Sequence, residues 1–171
     1  MVNSKKKIGY VSIEFVDDDK EDILTLSKQI PKNKIVSATI NSKEEGGIVA
    51  NKLHLTLFYG LDYLKINKKK LILFIKSIRI EALHVVDFDS FGIREFNCKV
   101  LFLVVNDYNK ELEKLHNEIR LHYPHFKNTN SFKPHIAVAY VSSDFEPKGL
   151  QFSFPKSLRV KNIKLKMRDV D

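Results

Sequence analysis

The sequence predicts an α+β fold in one domain over residues 1–171, built as two similar lobes. Three observations predict it. Strand-like and helix-like segments alternate along the whole chain. No linker rich in glycine, proline or serine divides it. One short stretch nearly repeats: His54-Leu55-Thr56-Leu57-Phe58-Tyr59-Gly60 and His135-Ile136-Ala137-Val138-Ala139-Tyr140-Val141 each run histidine, aliphatic, small residue, aliphatic, apolar, tyrosine.

Each element has its own signal. Lys7 to Phe15 alternates and is rich in Ile, Tyr, Val and Phe, as a strand does. Asp17, Asp18 and Asp19 supply an N-cap and an acidic first turn for a helix over about residues 20–30, stopped before Pro31. Residues 35–40 form a short strand, and 41–47, with Gly46-Gly47, a polar and mobile loop. Leu53 to Tyr59 is a strand closed by Gly60. Asn67 caps a helix to about Ser77, with Leu71, Ile72, Phe74, Ile75 and Ile78 at helical spacing. Ala82 to Phe88 and Val100 to Val105 are β-like, with 90–97 a connection or a short extra strand. Asn109 to Leu121 is an amphipathic helix, and His122 to Lys133 a loop. Pro134 opens the second histidine strand, where its missing N–H matters least. A turn over 142–149 and a last strand over 157–167 end the chain.

Composition narrows the function. A chain of 171 residues buries roughly 70% of its unfolded surface and needs neither disulfide nor metal for stability. Cys98 has no partner for an internal disulfide, which fits a reducing compartment, and no base beside it to activate it. The polar N-terminus has no apolar run for a signal peptide, and no stretch approaches the ~18 apolar residues of a membrane span. A cytosolic location follows, the host's if the protein is viral; the Lys, Asn and Ile content points to an AT-rich genome. The net charge of +8 fits an anionic partner such as RNA or a nucleotide. Lys5-Lys6-Lys7 and Lys68-Lys69-Lys70 read as solvated ends of elements. Zinc has little support: there is no His-Glu-x-x-His, no cysteine pair and no carboxylate cluster beside a histidine.

The repeat carries the chemistry. Residues i and i+2 of a strand share a face, so His54, Thr56 and Phe58 face one way and Leu55, Leu57 and Tyr59 the other. His135, Ala137 and Ala139 are grouped in the same way, opposite Ile136, Val138 and Tyr140. Tyr59 and Tyr140 therefore read as core. Two imidazoles facing one cleft serve as base and acid in one reaction, and Thr56 can donate its hydroxyl to a phosphoryl oxygen. His84, His116, His122 and His125 lack the repeated context; His122 and His125 flank Pro124 and read as solvent-facing.

Leu53-His54-Leu55-Thr56-Leu57 and Phe132-Lys133-Pro134-His135-Ile136 resemble the paired histidine-x-Thr/Ser motifs of the 2H phosphoesterase (LigT-like) superfamily, and the likeness covers nearly the whole chain. It implies a bilobal fold with two pseudo-symmetric antiparallel-sheet lobes around a central cleft and helices outside. It implies a phosphodiesterase that uses no metal or other cofactor and acts on a nucleotide, cyclic oligonucleotide or RNA 2′,3′-cyclic phosphate. His54 and His135 would be catalytic and Thr56 would steady the phosphoryl oxygens. Tyr10 and Phe132 are candidates to stack on bases and Lys133 to meet a phosphate. The Leu-His-Leu-Thr-Leu-Phe-Tyr stretch and the small size most resemble the phage enzymes that destroy cyclic-nucleotide alarm signals. The chain departs from the pattern at Ala137, where a hydroxyl is usual. That departure keeps open a catalytically weak nucleotide- or RNA-binding module and a protein-interaction scaffold.

Overall fold

Alternating apolar side chains build the sheet, and where the alternation breaks, the strands bulge. The computed structural model describes residues 6–40, 43–49, 52–127, 131–147 and 153–170. In chain order these form β1 (Lys6–Phe15), α1 (Asp17–Ser27), β2 (Ser37–Ile40), β3 (Lys43–Gly46), β4 (His54–Asp62), α2 (Lys68–Ser77), β5 (Ala82–Ile93), β6 (Cys98–Asn106), α3 (Glu111–His122), β7 (His135–Ser142) and β8 (Ser157–Val170). Six strands make one antiparallel sheet in the order β1-β4-β7-β6-β5-β8, closed by pairing of β1 with β8; β2 and β3 form a separate hairpin. No helix among the described residues is long and apolar enough to cross a membrane.

The closed sheet consists of two triplets, β8-β1-β4 and β5-β6-β7. Within a triplet the ladders are long. Between them they are short: β4 meets β7 at the single pair Leu55↔Ile136, and β5 meets β8 only over Ala82–His84. Past Leu55 and Ile136 the two edges part, and each is taken by the segment leading into the other. Phe126 N–H donates to Gly60 O and Asp62 N–H to Pro124 O along β4; Val36 N–H donates to Tyr140 O and Val49 N–H to Val138 O along β7.

The helices are exchanged in the same sense. α1, which follows β1, packs against β7, whereas α3, which follows β6, packs against β4; α2 covers β8. Ile23 of α1 and Leu112 and Ile119 of α3 join Val11, Ile13, Leu55, Leu57, Leu101, Leu103, Ile136 and Val138 in one buried core.

Several element boundaries differ from the sequence expectation. Asp17, Asp18 and Asp19 lie inside the first turn of α1 rather than before it, where the helix dipole favours their charge. Lys43–Gly46, expected as loop, is a strand paired with β2; Asn41 and Ser42 lie outside the described residues. β5 runs on to Ile93, with exposed Asp87, Asp89 and Phe91 alternating with half-buried Phe88 and Ser90, so the first half of 90–97, expected as a connection or a short extra strand, continues β5 instead. Asn67 caps α2 as expected, its Oδ1 accepting from Lys70 N at 3.0 Å. α3 is capped by Asp107, whose carboxylate accepts from Leu112 N and Glu113 N, each at 3.0 Å.

Asp19 ties α1 to β8. Its buried carboxylate accepts from Arg159 N at 2.6 Å and from Arg159 Nη2 at 2.8 Å. Burial alone would raise the Asp19 pKa; the bonds and charge of Arg159 outweigh it and hold the carboxyl below its ordinary value. A depressed folded-state pKa contributes stability above the unfolded value and loses it as pH falls through the folded one. Asp19→Asn therefore lowers the urea midpoint at pH 7, and the gap to the parent closes as pH drops below about 3.9. A gap that persists unchanged well below that pH contradicts this account.

Candidate active site

The pair Leu55↔Ile136 sets the site. Both side chains are fully buried on the core face, so the residues on either side of each project to the opposite face. Those four residues are His54, Thr56, His135 and Ala137. Antiparallel register sets His54 across from Ala137 and Thr56 across from His135, which puts the two imidazoles on a diagonal, on the order of 7–8 Å apart at the backbone. All four side chains are half-buried.

The two histidines are held alike. His54 Nδ1 lies 2.8 Å from Lys52 O, and His135 Nδ1 lies 2.8 Å from Lys133 O. A carbonyl only accepts, so each Nδ1 carries the proton and donates it to the carbonyl two residues upstream. Each Nε2 is left without a hydrogen-bond partner among the described residues, an atom that is a base in a neutral ring and an acid in a cationic one. The acceptor is a backbone carbonyl two residues back, so both motifs make the bond although the side chains around them differ.

A matching irregularity continues the repeat. β4 bulges at Leu57-Phe58 against β1, and β7 bulges at Val138 against β6, the same offset from each histidine. The extra residue turns two consecutive side chains toward the core: Leu57 with Phe58, and Val138 with Ala139. Tyr59 and Tyr140, expected in the core, are thereby returned to the histidine face. Tyr59 is 42% exposed with its ring 6.1 Å from that of Tyr10, and Tyr140 pairs with Val100 on the same face as Phe102.

The two sides of the site differ in chemistry. Around His135 the wall is aromatic. Its ring meets Phe102 edge-on at 5.3 Å and Phe91 at 5.9 Å, and those two rings lie 5.4 Å apart. Phe91, which the sequence left in the connection, is 43% exposed and offers a free surface. Around His54 the wall is polar. Tyr10, Ser12 and Glu14 of β1 stand opposite Lys166, Lys164 and Asn162 of β8, and Thr56 faces Ser12. Glu14 accepts from Lys164 at 3.3 Å and is paired with Lys166. Burial would raise its pKa, but the two ammonium groups hold it below the usual value, so it is ionised at neutral pH. Ser12 Oγ, fully buried, has no hydrogen-bond partner among the described residues.

The remaining predicted positions fall as follows. Tyr10 lines a cavity beside His54. Phe132 is stacked on His116 at 4.4 Å, 18° from parallel, and packs against the core, so that ring face is occupied. Lys133 is exposed, and the contact it makes to the site is through its backbone carbonyl. Phe102, Phe91, Glu14, Lys164 and Lys166 were missed; the alternation of Tyr10-Ser12-Glu14 and Lys164-x-Lys166 was visible, but nothing local says that these strands adjoin His54.

Of the other histidines, His116 and His125 are held within the fold, and His84 and His122 are exposed. His116 Nδ1 donates to Leu57 O at 2.8 Å across the α3–β4 interface, and burial depresses its pKa. His125, expected in solvent, is half-buried, edge-on to Phe58 at 5.7 Å and bonded to Tyr123 O at 3.0 Å, because the loop pairs with β4. His122 is exposed and 3.3 Å from Glu118. Cys98 is buried, which pushes its thiol pKa up and makes it a poor nucleophile. Among the described residues no group of three or more His, Cys, Asp or Glu is placed to hold a metal ion.

No family model matches the sequence, and no curated protein matches it either. Solved structures do. E. coli LigT complexed with NADP+ superposes with a TM-score of 0.62 at 18% identity, covering 98% of this chain and 96% of that one. E. coli LigT complexed with 3′-AMP gives 0.56 at 18% identity, with 96% and 94% covered. Kluyveromyces marxianus Usb1 gives 0.52 at 9% identity, with 94% of each chain covered. The fold is the LigT-like fold, six antiparallel strands with three helices.

Proposed function

We propose that this protein is a 2H phosphoesterase that cleaves a phosphodiester of a nucleotide, cyclic oligonucleotide or RNA end by paired-histidine acid–base catalysis, with no step through a metal. The observation that carries the reading is the duplicated imidazole geometry: two rings across one seam, each with Nδ1 fixed by a carbonyl and Nε2 free. The LigT-like fold supports it, as do the nucleotide ligands named in the LigT structures.

In the reaction one neutral Nε2 takes the proton of the nucleophile, which is water for a 2′,3′-cyclic phosphate or the substrate's 2′-hydroxyl for a 3′–5′ bond. The nucleophile's oxygen bonds to phosphorus as the bond to the leaving ribose oxygen breaks. The other ring, protonated, gives its Nε2 proton to that oxygen. The histidines have then exchanged protons, and solvent resets them. Thr56 donates its hydroxyl to a non-bridging oxygen, an electrostatic contribution. Tyr10 and the exposed ring of Phe91 flank the reacting group and provide surfaces for bases. The single buried, unpaired Cys98 is compatible with a cytosolic site of action.

The test is turnover in EDTA with a panel of nucleoside 2′,3′-cyclic phosphates, cyclic di- and trinucleotides, including those of bacterial defence signalling, and short RNAs. Product from any of them, dependent on both histidines, is the expected result; no product from the whole panel rejects the reading. Ala137 favours a second reading, a binding module, which predicts salt-dependent affinity without product. The two separate further in Ala137→Thr. Ala137 lies across from His54 on the open face, so a hydroxyl there restores a bond to the phosphoryl group worth roughly 1.5–3 kcal/mol. The variant of an enzyme gains at least about tenfold in kcat; a variant that only binds more tightly supports the binding module.

A further inference from the structure

Beside His54 lies a cavity of about 330 Å³ lined by Tyr10, Lys20, Lys52, Lys161, Lys164 and Lys166, with Glu14 and Asn162 in the same wall. Five ammonium groups from three places in the fold line it: Lys20 of α1, Lys52 at the entry to β4, and Lys161, Lys164 and Lys166 of β8; a single carboxylate, Glu14, shares their wall. Glu14 is already divided between Lys164 and Lys166, and Asp17, outside the cavity, between Lys20 at 2.7 Å and Lys161 at 3.4 Å. Lys52 has no ion pair among the described residues. Asn162 Oδ1, like Ser12 Oγ, is buried without a hydrogen-bond partner among them. Five like charges around a concave wall focus a positive potential that the two carboxylates offset in part and a bound anion offsets further.

His54 belongs to the lining of this cavity and no residue of β7 does, so the cavity extends from His54 toward β1 and β8, to one side of the point between the imidazoles that the proposed mechanism gives to the reacting phosphate. We infer that it is a second phosphate subsite, holding a phosphate of the substrate other than the one that reacts. The inference rests on the phosphodiesterase reading and deepens it. It selects substrates that carry at least two phosphates, a linear RNA end or a cyclic oligonucleotide, over a mononucleoside cyclic phosphate.

The experiment compares kcat/KM for adenosine 2′,3′-cyclic phosphate with that for its 5′-phosphorylated form, in the parent protein and in Lys52→Met/Lys161→Met. Two further arms, a short RNA ending in a 2′,3′-cyclic phosphate and a cyclic dinucleotide, identify the source of the second phosphate by whichever is cleaved faster. The parent is expected to prefer the 5′-phosphorylated substrate by about tenfold or more, and the double variant by no more than about twofold. Because the readout is a ratio, a general loss of activity cancels. Equal rates in the parent, or an undiminished ratio in the variant, overturn the subsite. Calorimetry with adenosine 3′,5′-bisphosphate and 3′-AMP separates the two levels of the argument. If no diester is cleaved at all, the enzymatic reading fails, while tighter binding of the bisphosphate, lost in the variant, still upholds the subsite, and equal binding of the two overturns it. Lys52→Gln and Lys161→Gln singly give intermediate ratios.

Discussion

Replacing His54 or His135 by alanine lowers turnover by about 10²–10⁴-fold, the range for loss of a positioned acid or base. The two losses do not multiply, because the rings act on one proton-transfer cycle; the double variant falls little below either single one. Stability changes far less. Each ring is half-buried and donates one bond to a backbone carbonyl, a bond worth roughly 0.5–1.5 kcal/mol net. The parent's pH–rate profile is bell-shaped, and each single variant loses one limb of the bell. The decisive measurement is kcat for both variants beside their urea midpoints. Rates near the parent's in either variant reject the mechanism, and collapse of the midpoint shows that the histidines serve the fold.

The largest effect on stability is expected one residue away, on the other face. Leu55→Ala and Ile136→Ala each remove a fully buried aliphatic group from the one pair that joins β4 to β7. Such truncations cost about 2–5 kcal/mol, a large part of the roughly 5–15 kcal/mol that holds a domain of this kind folded. The pair also fixes the diagonal between the imidazoles, so both variants lose activity under conditions where they remain folded. Equilibrium urea unfolding and kcat at low denaturant check the two halves of the statement. A midpoint shift equivalent to less than about 1 kcal/mol would mean that the seam is not tightly packed.

How much of this was legible in the sequence depends on how local the determining contacts are. The histidine strands, Asn67 as a cap and the last strand follow from residues within a few positions of one another, and they are where the alternation and capping signals put them. Tyr59 and Tyr140 were misassigned because a period of two carries no information about a bulge. The extra residue at Leu57-Phe58 and at Val138 is visible only against the partner strand. Phe132 looked available for a base because nothing adjacent says that His116, on α3, takes its ring. The lysines of β8 face His54 through the intervening β1, a register that depends on sheet closure and not on any local pattern. Phe91 was lost for a simpler reason: strand β5 continues past the point where its aliphatic residues give way to aspartate and serine.

The exchanged helices limit how this groove can move. Each half of the molecule is roofed by a helix that the other half spins out, α1 over β7 and α3 over β4, so pulling the halves apart strips both of those roofs. Widening the groove therefore costs buried contact, and on the proposed function choice among substrates falls to how the slot is shaped and wired, cationic at one cheek and aromatic at the other.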